Sequence, residues 1–214
     1  RFGGMLSNYI PVGIPIGIGT CAAYLKKWGV KNLLELDEEI EKITPENIRE
    51  KLAGLERPLI VGIGVLTSQA GRAYYLARLI KEVEPNCTII VGNVHVTTLP
   101  QEPLDLGVID IVVRGEGEET LRQLHFALRE GENWRDIKGI TYKNESGEII
   151  SNPDSDLIEN LDDIPIFPYE LFDHPRYDMG AITGARGCPY KCTYCSQRLL
   201  TGFTYRWHST ERIV

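Results

Sequence analysis

Residues 59–65 read Leu-Ile-Val-Gly-Ile-Gly-Val, and residues 88–92 read Thr-Ile-Ile-Val-Gly. Both runs are apolar without alternation, the pattern of short strands covered on both faces. The segment between them offers Ser68 as a helix cap, then Ala73, Leu76, Ile80 and Val83 on one helical face. Downstream, Val108–Val113 is a further apolar strand. Glu118–Glu130 follows as a helix, with Leu121, Leu124 and Leu128 inward and acidic residues in its first turn, where they favour the dipole. Upstream, Ile18, Cys21, Ala22 and Leu25 form another helical stripe, ended by Gly29. Val30–Leu36 reads as a strand, and Thr44-Pro45 as a helix start, a capping hydroxyl before a first-turn proline.

Short buried strands alternating with helices predict an α/β fold with a doubly wound parallel sheet of Rossmann or flavodoxin-like type. Ligands of such sheets sit outside the carboxyl ends of the strands. The first clear element is a helix. In the flavodoxin-like order 2-1-3-4-5 the first strand lies inside the sheet, so the strand at 30–36 would have no neighbour. This reading expects the native protein to begin upstream. After Gly131 the pattern changes. Ile140–Lys143, the loop Asn144-Glu145-Ser146-Gly147 and Glu148–Ser151 form a predicted β-hairpin. Residues 152–178 carry Pro153, Pro165, Pro168 and Pro175 among many acids, the composition of an ordered but irregular linker. Asp162 and Asp163 read there as solvated linker residues. Met179–Thr183 is a new strand that runs directly into a cysteine loop.

Composition bounds the function. Of 214 residues, 43% are apolar and 25% charged, close to soluble globular proteins. The net charge of -7 argues against a non-specific nucleic-acid or anionic-membrane surface. No apolar stretch approaches the roughly 20 residues of a membrane-spanning helix, and the chain starts at Arg1 without a signal peptide. The expectation is a cytoplasmic protein. Five cysteines support a reducing compartment: three crowd together and two, Cys21 and Cys87, stand alone, which is no disulfide framework. Cys21 lies on a core stripe and reads as a small apolar residue. Cys87 opens a strand.

The loop runs Gly184-Ala185-Arg186-Gly187-Cys188-Pro189-Tyr190-Lys191-Cys192-Thr193-Tyr194-Cys195-Ser196. Its spacing is C-x3-C-x2-C. Three thiolates this close can wrap one metal centre if the loop turns tightly, and Gly184, Gly187 and Pro189 supply the turns. A [4Fe-4S] cluster held by three cysteines keeps one iron open for a ligand. A zinc site or a ferredoxin-type cluster would want a fourth protein ligand, and His208 is the only histidine downstream.

The loop resembles that of radical S-adenosylmethionine enzymes, whose C-x3-C-x2-C motif has an aromatic before the last cysteine, here Tyr194. The resemblance implies that Cys188, Cys192 and Cys195 hold a [4Fe-4S] cluster. It implies that S-adenosylmethionine binds the open iron and that Tyr194 lies against its adenine. Reductive cleavage would then yield a 5′-deoxyadenosyl radical that abstracts hydrogen from a small-molecule substrate. An electron donor such as flavodoxin or ferredoxin, oxygen sensitivity, and the opening of a partial (β/α) barrel over 179–214 are implied with it. The tail Tyr205-Arg206-Trp207-His208-Ser209-Thr210-Glu211 is similar to the family's entry to the next helix.

Residues 1–133 resemble the cobalamin-binding domain that precedes the radical domain in one subgroup, with 134–178 as hairpin and linker. The likeness rests on Val91-Gly92-Asn93-Val94-His95, Leu99-Pro100, Asp110–Val113, Arg114-Gly115-Glu116-Gly117-Glu118 and the linker Leu161-Asp162-Asp163-Ile164-Pro165. Gly92 ends a buried strand where a corrin needs close backbone approach. Asn93 and His95 follow it, and Thr67 and Ser68 end the neighbouring strand, within reach of a nucleotide tail. The stricter pattern D-x-H-x-x-G, whose histidine ligates cobalt, is absent. Cobalamin would be held without that histidine, or the domain is a shell packed on the barrel. His95 reads either as a cobalt ligand or base, or as a hydrogen-bonding cap. The turn at 114–118 faces the cleft or barrel, or is a solvated turn. Subgroup chemistry is methyl transfer or radical rearrangement and cyclisation, and this stretch alone is expected not to turn over. Two alternatives stand beside it. One is a methylthiotransferase-like radical enzyme, whose second cysteine triad is missing here. The other is a non-enzymatic iron–sulfur or corrinoid carrier.

Overall fold

The computed structural model describes residues 12–178 and 181–214. A two-residue strand, β1 (Val12–Gly13), leads into helix α1 (Ile16–Lys27). Lys26 and Lys27 in the last turn complement the helix dipole, and Gly29 leaves the helix at φ +91°. Residues 30–36, expected to be a strand, form none. A strand needs a neighbour's ladder bonds, and no described strand stands beside this segment to supply them. Helix α2 (Pro45–Ala53) begins where Thr44-Pro45 predicts: the Thr44 hydroxyl accepts from Asn47 N–H and the Asn47 side chain accepts from Thr44 N–H, a full capping box.

The central sheet follows: β2 (Ile60–Gly64), helix α3 (Ala70–Val83), β3 (Thr88–Gly92), the short helices α4 (Val94–Thr98) and α5 (Gln101–Leu104), β4 (Ile111–Val113), helix α6 (Glu118–Glu130), and the hairpin β5 (Ile140–Lys143) and β6 (Ile149–Ser151). The order is β2-β3-β4-β5-β6, parallel through β4 and antiparallel beyond. The hairpin therefore continues the same sheet. Ser68 does not cap α3: a 3₁₀ turn at Thr67–Gln69 intervenes, and Gln69 precedes the helix without a side-chain cap bond. β2 is half-buried instead of covered on both faces, because it stands at the sheet edge.

Two cores flank the sheet. Ile89, Val91 and Val112 point toward α2 and α3, with Ile48, Leu52, Ala77 and Ile80. Ile90, Ile111 and Val113 point the other way, onto Leu124 of α6 and Ile140 and Tyr142 of β5. Alternate strand residues thus feed opposite layers, the doubly wound α/β arrangement of a Rossmann-like fold. Each fully buried Ile or Val contributes about 1.5–3 kcal/mol of transfer free energy. α1 packs beside α6.

The linker is ordered by an aromatic cluster. Phe167 stacks on Phe172 at 5.1 Å, and Phe172 meets Tyr177 edge-on at 5.8 Å. Gly19 of α1 admits both rings, since a Cβ there would lie 2.2 Å from Phe167 and 2.9 Å from Phe172. β7 (Tyr177–Asp178) pairs in parallel with β1. The strand expected at 179–183 is not formed at 181–183, and Met179 and Gly180 lie outside the described residues. Pairing is found two residues later, where β8 (Ala185–Arg186) meets β9 (Arg206–Trp207) antiparallel. Helix α7 (Gln197–Thr201) lies within the ribbon's loop and α8 (Thr210–Ile213) follows it. Among the described residues no helix is long and apolar enough to cross a membrane.

Candidate functional site

The carboxyl ends of β2, β3 and β4 open on one side of the sheet. Gly64 and Gly92 are partners in register there. A Cβ on Gly92 would meet only the Val113 carbonyl, at 3.7 Å, so the backbone there is bare, whereas at Gly64 the Ile18 side chain already stands 3.3 Å from where a Cβ would lie. Asn93 then turns the chain at φ +88° and ψ 179°, a region that side chains other than glycine rarely adopt. Its Oδ1 accepts from Val94 N–H at 2.6 Å and starts α4. His95 is buried on α4. Its Nδ1 lies 3.2 Å from Thr67 Oγ1 and its Nε2 lies 3.2 Å from Glu102 Oε1, which also accepts from the Tyr74 hydroxyl at 3.0 Å. Both ring nitrogens therefore face protein groups. Leu66 and Leu99 stay exposed on the segments leaving β2 and α4. The structure thus brings Thr67, Gly92, Asn93 and His95 to one strand end, with Ser68 on the adjoining 3₁₀ turn.

The cysteine loop hangs between β8 and β9. Cys188 is half-buried, Cys192 and Cys195 are exposed, and Tyr194 is 90% exposed beside them. The ribbon holding the loop is closed tightly. Gly187, at φ +90°, lies so near the opposing strand that a Cβ would stand 1.7 Å from the Thr204 carbonyl oxygen. α7, which begins two residues after Cys195, packs against α4. The loop and the bare strand ends therefore share one side of the molecule.

Charged side chains tie the ribbon to the sheet. Glu116, in the turn after β4, takes the Arg206 guanidinium at 2.5 and 3.0 Å. Glu118, the first residue of α6, takes Arg186 at 2.5 Å. Asp162 receives Ser209 N–H at 3.1 Å and stands 3.0 Å from His208 Nδ1. Those two bonds, the Ser209 one larger, hold its carboxyl below the usual range. Asp162 is therefore no free linker residue, because the tail folds back onto it. The turn at 114–118 faces the loop ribbon, and its Glu116 and Glu118 side chains are nearly inaccessible. Reading residues locally misses this set. The turn's residues form a local motif, but their partners lie 68 and 90 residues away.

Two more groups line this region. Glu35 has its carboxyl pushed up to about 7, chiefly by burial, with Lys26 opposing. The Cys21 sulfur is enclosed although part of the residue stays accessible. Burial first, then the Glu118 charge, raises its thiol far above the ordinary value, which keeps it protonated and unsuited to metal ligation. Cys87 is buried and shifted the same way by burial.

Three accessible thiols on a glycine-bearing loop are a donor set that fits an iron–sulfur cluster. Among the described residues no three His, Cys, Asp or Glu side chains are already gathered to hold a metal ion. At the strand ends, bare glycine backbone and exposed leucines fit a large planar ligand with apolar edges, and His95 offers it no free nitrogen.

Residues 5–125 match the B12 binding domain family. The chain is 34% identical over 208 residues to an uncharacterized methyltransferase of Pyrococcus horikoshii, covering 94% of this chain and 44% of that protein. It is 32% identical over 193 residues to an anaerobic magnesium-protoporphyrin IX monomethyl ester cyclase of Rubrivivax gelatinosus, covering 86% and 35%. It spans less than half the length of either relative. A solved structure of the cobalamin-dependent S-adenosylmethionine radical enzyme OxsB with aqua-cobalamin bound superposes with a TM-score of 0.82 at 25% identity, covering 98% of this chain and 29% of that one.

Proposed function

The chain belongs to the B12 binding domain family, and from that premise we propose that it is the corrin-holding part of a radical S-adenosylmethionine enzyme. In this reading Cys188, Cys192 and Cys195 hold a [4Fe-4S] cluster, and cobalamin lies over the carboxyl ends of β2, β3 and β4. What supports it most is one juxtaposition: α4, rising from the bare strand ends, packs against α7, rising from the last cysteine. Two cofactors so held would stand next to each other. When bound, the cluster would supply the electron that cleaves S-adenosylmethionine, and the corrin a carrier for a methyl group or a second redox centre.

The chain's own residues do the rest. The three thiols hold the cluster once the open loop closes, and the exposed Tyr194 ring offers a face for adenine. Gly92 admits the ligand to backbone distance. Thr67 and Glu102 keep His95 turned toward protein, so its nitrogens do not approach cobalt. Thr67, Ser68 and Asn93 supply hydrogen bonds at the rim. The reaction is methyl transfer or radical cyclisation on a small-molecule substrate, with an electron donor of flavodoxin or ferredoxin type. The names of the relatives, methyltransferases and cyclases, support that class.

The test is anaerobic reconstitution with iron and sulfide, followed by electron paramagnetic resonance of the reduced protein, alongside equilibrium binding of hydroxocobalamin. The expected result is a [4Fe-4S] signal that changes on adding S-adenosylmethionine and that disappears in Cys192→Ala, with corrin bound at one per chain. A cluster indifferent to S-adenosylmethionine would support an electron carrier instead, and stoichiometric zinc in place of iron would refute the reading.

A further inference from the structure

The cysteine loop is flanked by two arginines, Arg186 before it and Arg206 after it, and both reach away from the loop into the sheet domain. Arg206 is 8% exposed at its side chain and Glu116 6%, and they meet two-pronged. Arg206 also donates to the Ile158 carbonyl at 2.5 Å. Arg186 pairs with Glu118 and has Glu116 within 3.7 Å. Two carboxylates and two guanidiniums cancel within one small enclosed volume. Such a set holds together only when complete, since removing one member leaves an opposite charge enclosed and unpaired. Both acids leave the carboxyl end of β4, which is the end where Gly92 and Asn93 lie.

We propose that Glu116 and Glu118 are the seat of the cysteine loop: through Arg206 and Arg186 they fix where the loop stands relative to the strand ends of the sheet. They are positioning residues, which touch neither cofactor and act through the two arginines. Their significance for the chemistry rests on the cofactor assignment above. The seat itself does not, because the pairing is made by the protein alone.

The experiment compares hydrogen exchange in wild type, Glu116→Gln, Glu118→Gln and Glu119→Gln, all without cofactors. Glu119 is the control: it sits in the same helical turn but bonds Arg122, Gln123 and Tyr24, not the ribbon. The seat requires that amides at 184–208 exchange at least tenfold faster in Glu116→Gln and Glu118→Gln, while those of β3 and β4 are unchanged and Glu119→Gln matches wild type. Arg206→Lys keeps the charge and loses the two-pronged contact. It should fall between wild type and Glu116→Gln, and it carries the test if the glutamine variants do not fold. Unchanged exchange at 184–208, or an equal rise in Glu119→Gln, overturns the seat. After reconstitution, Glu116→Gln should take up iron as wild type does but show a weakened spectral response to S-adenosylmethionine. An undiminished response in a variant whose ribbon exchanges freely overturns the positioning role. A wild type without any cluster would instead fail the cofactor reading and leave the exchange comparison to decide the seat.

Discussion

At the residue scale, Asn93 and Glu35 make the sharpest tests. Asn93 holds φ +88° and ψ 179°, which costs a non-glycine residue about 1–3 kcal/mol. Replacing it with glycine removes that strain, gives up a side-chain cap that glycine replaces at a loss of a few tenths of a kcal/mol, and adds freedom to the unfolded chain. Asn93→Gly should therefore stabilise the chain by about 1 kcal/mol in urea unfolding. Glu35 governs a pH dependence. Its folded value of about 7 stands above the ordinary 4.5, so the folded state holds the proton more tightly. Unfolding then releases a proton between those values, and stability falls as pH rises from 4.5 to about 7, with the penalty complete above. Glu35→Gln should raise stability at pH 8 by up to about 3 kcal/mol and leave it unchanged at pH 4. Thermal melts at the two pH values check this, and a variant no more stable than wild type at pH 8 would contradict it.

At the element scale, most signals that lie within a single element are legible in the sequence. α1, α2, α6 and the hairpin follow from stripes, caps and turn residues, because each such signal lies within one element. The strand expected at 30–36 failed for a different reason: Val30, Leu33, Leu34 and Leu36 supply apolar residues, but a strand exists only with a partner. Ser68 failed because a 3₁₀ turn displaced the helix start past it. At the site, the three cysteines and the glycines of the strand ends were legible from spacing and run length. Glu116, Glu118, Asp162 and their partners were not, since no periodicity records pairing across such separations. α1 carries the test at this scale. Gly19 is the gap into which Phe167 and Phe172 fit. Gly19→Ala should cost about 1–3 kcal/mol by overpacking and lower the melting midpoint by roughly 2–12 °C. Limited proteolysis should then cut first at 165–172, and a variant as resistant as wild type would show that the linker does not depend on α1.

At the scale of the whole molecule, the sheet does not end where the strand–helix alternation ends. The hairpin continues it, covering β4 with β5 and placing Ile140 and Tyr142 against Ile111 and Val113. A chain stopped after residue 133 would bare the β4 edge and half of one core. It should lose cooperative thermal unfolding and associate through that edge, which size-exclusion chromatography would detect; a monomeric, sharply melting truncation would show the hairpin to be dispensable. The ion pairs across the ribbon carry a consequence of timing. Arg186 is made 68 residues after Glu118, and Arg206 90 residues after Glu116. At the usual pace of translation that is an interval on the order of ten seconds. The acidic turn and the strands that present it have left the ribosome before either arginine exists. The nascent chain thus builds its dock first, and the cysteine loop arrives at a surface already waiting, tied at its leading end by Arg186 and, once Arg206 follows, at both.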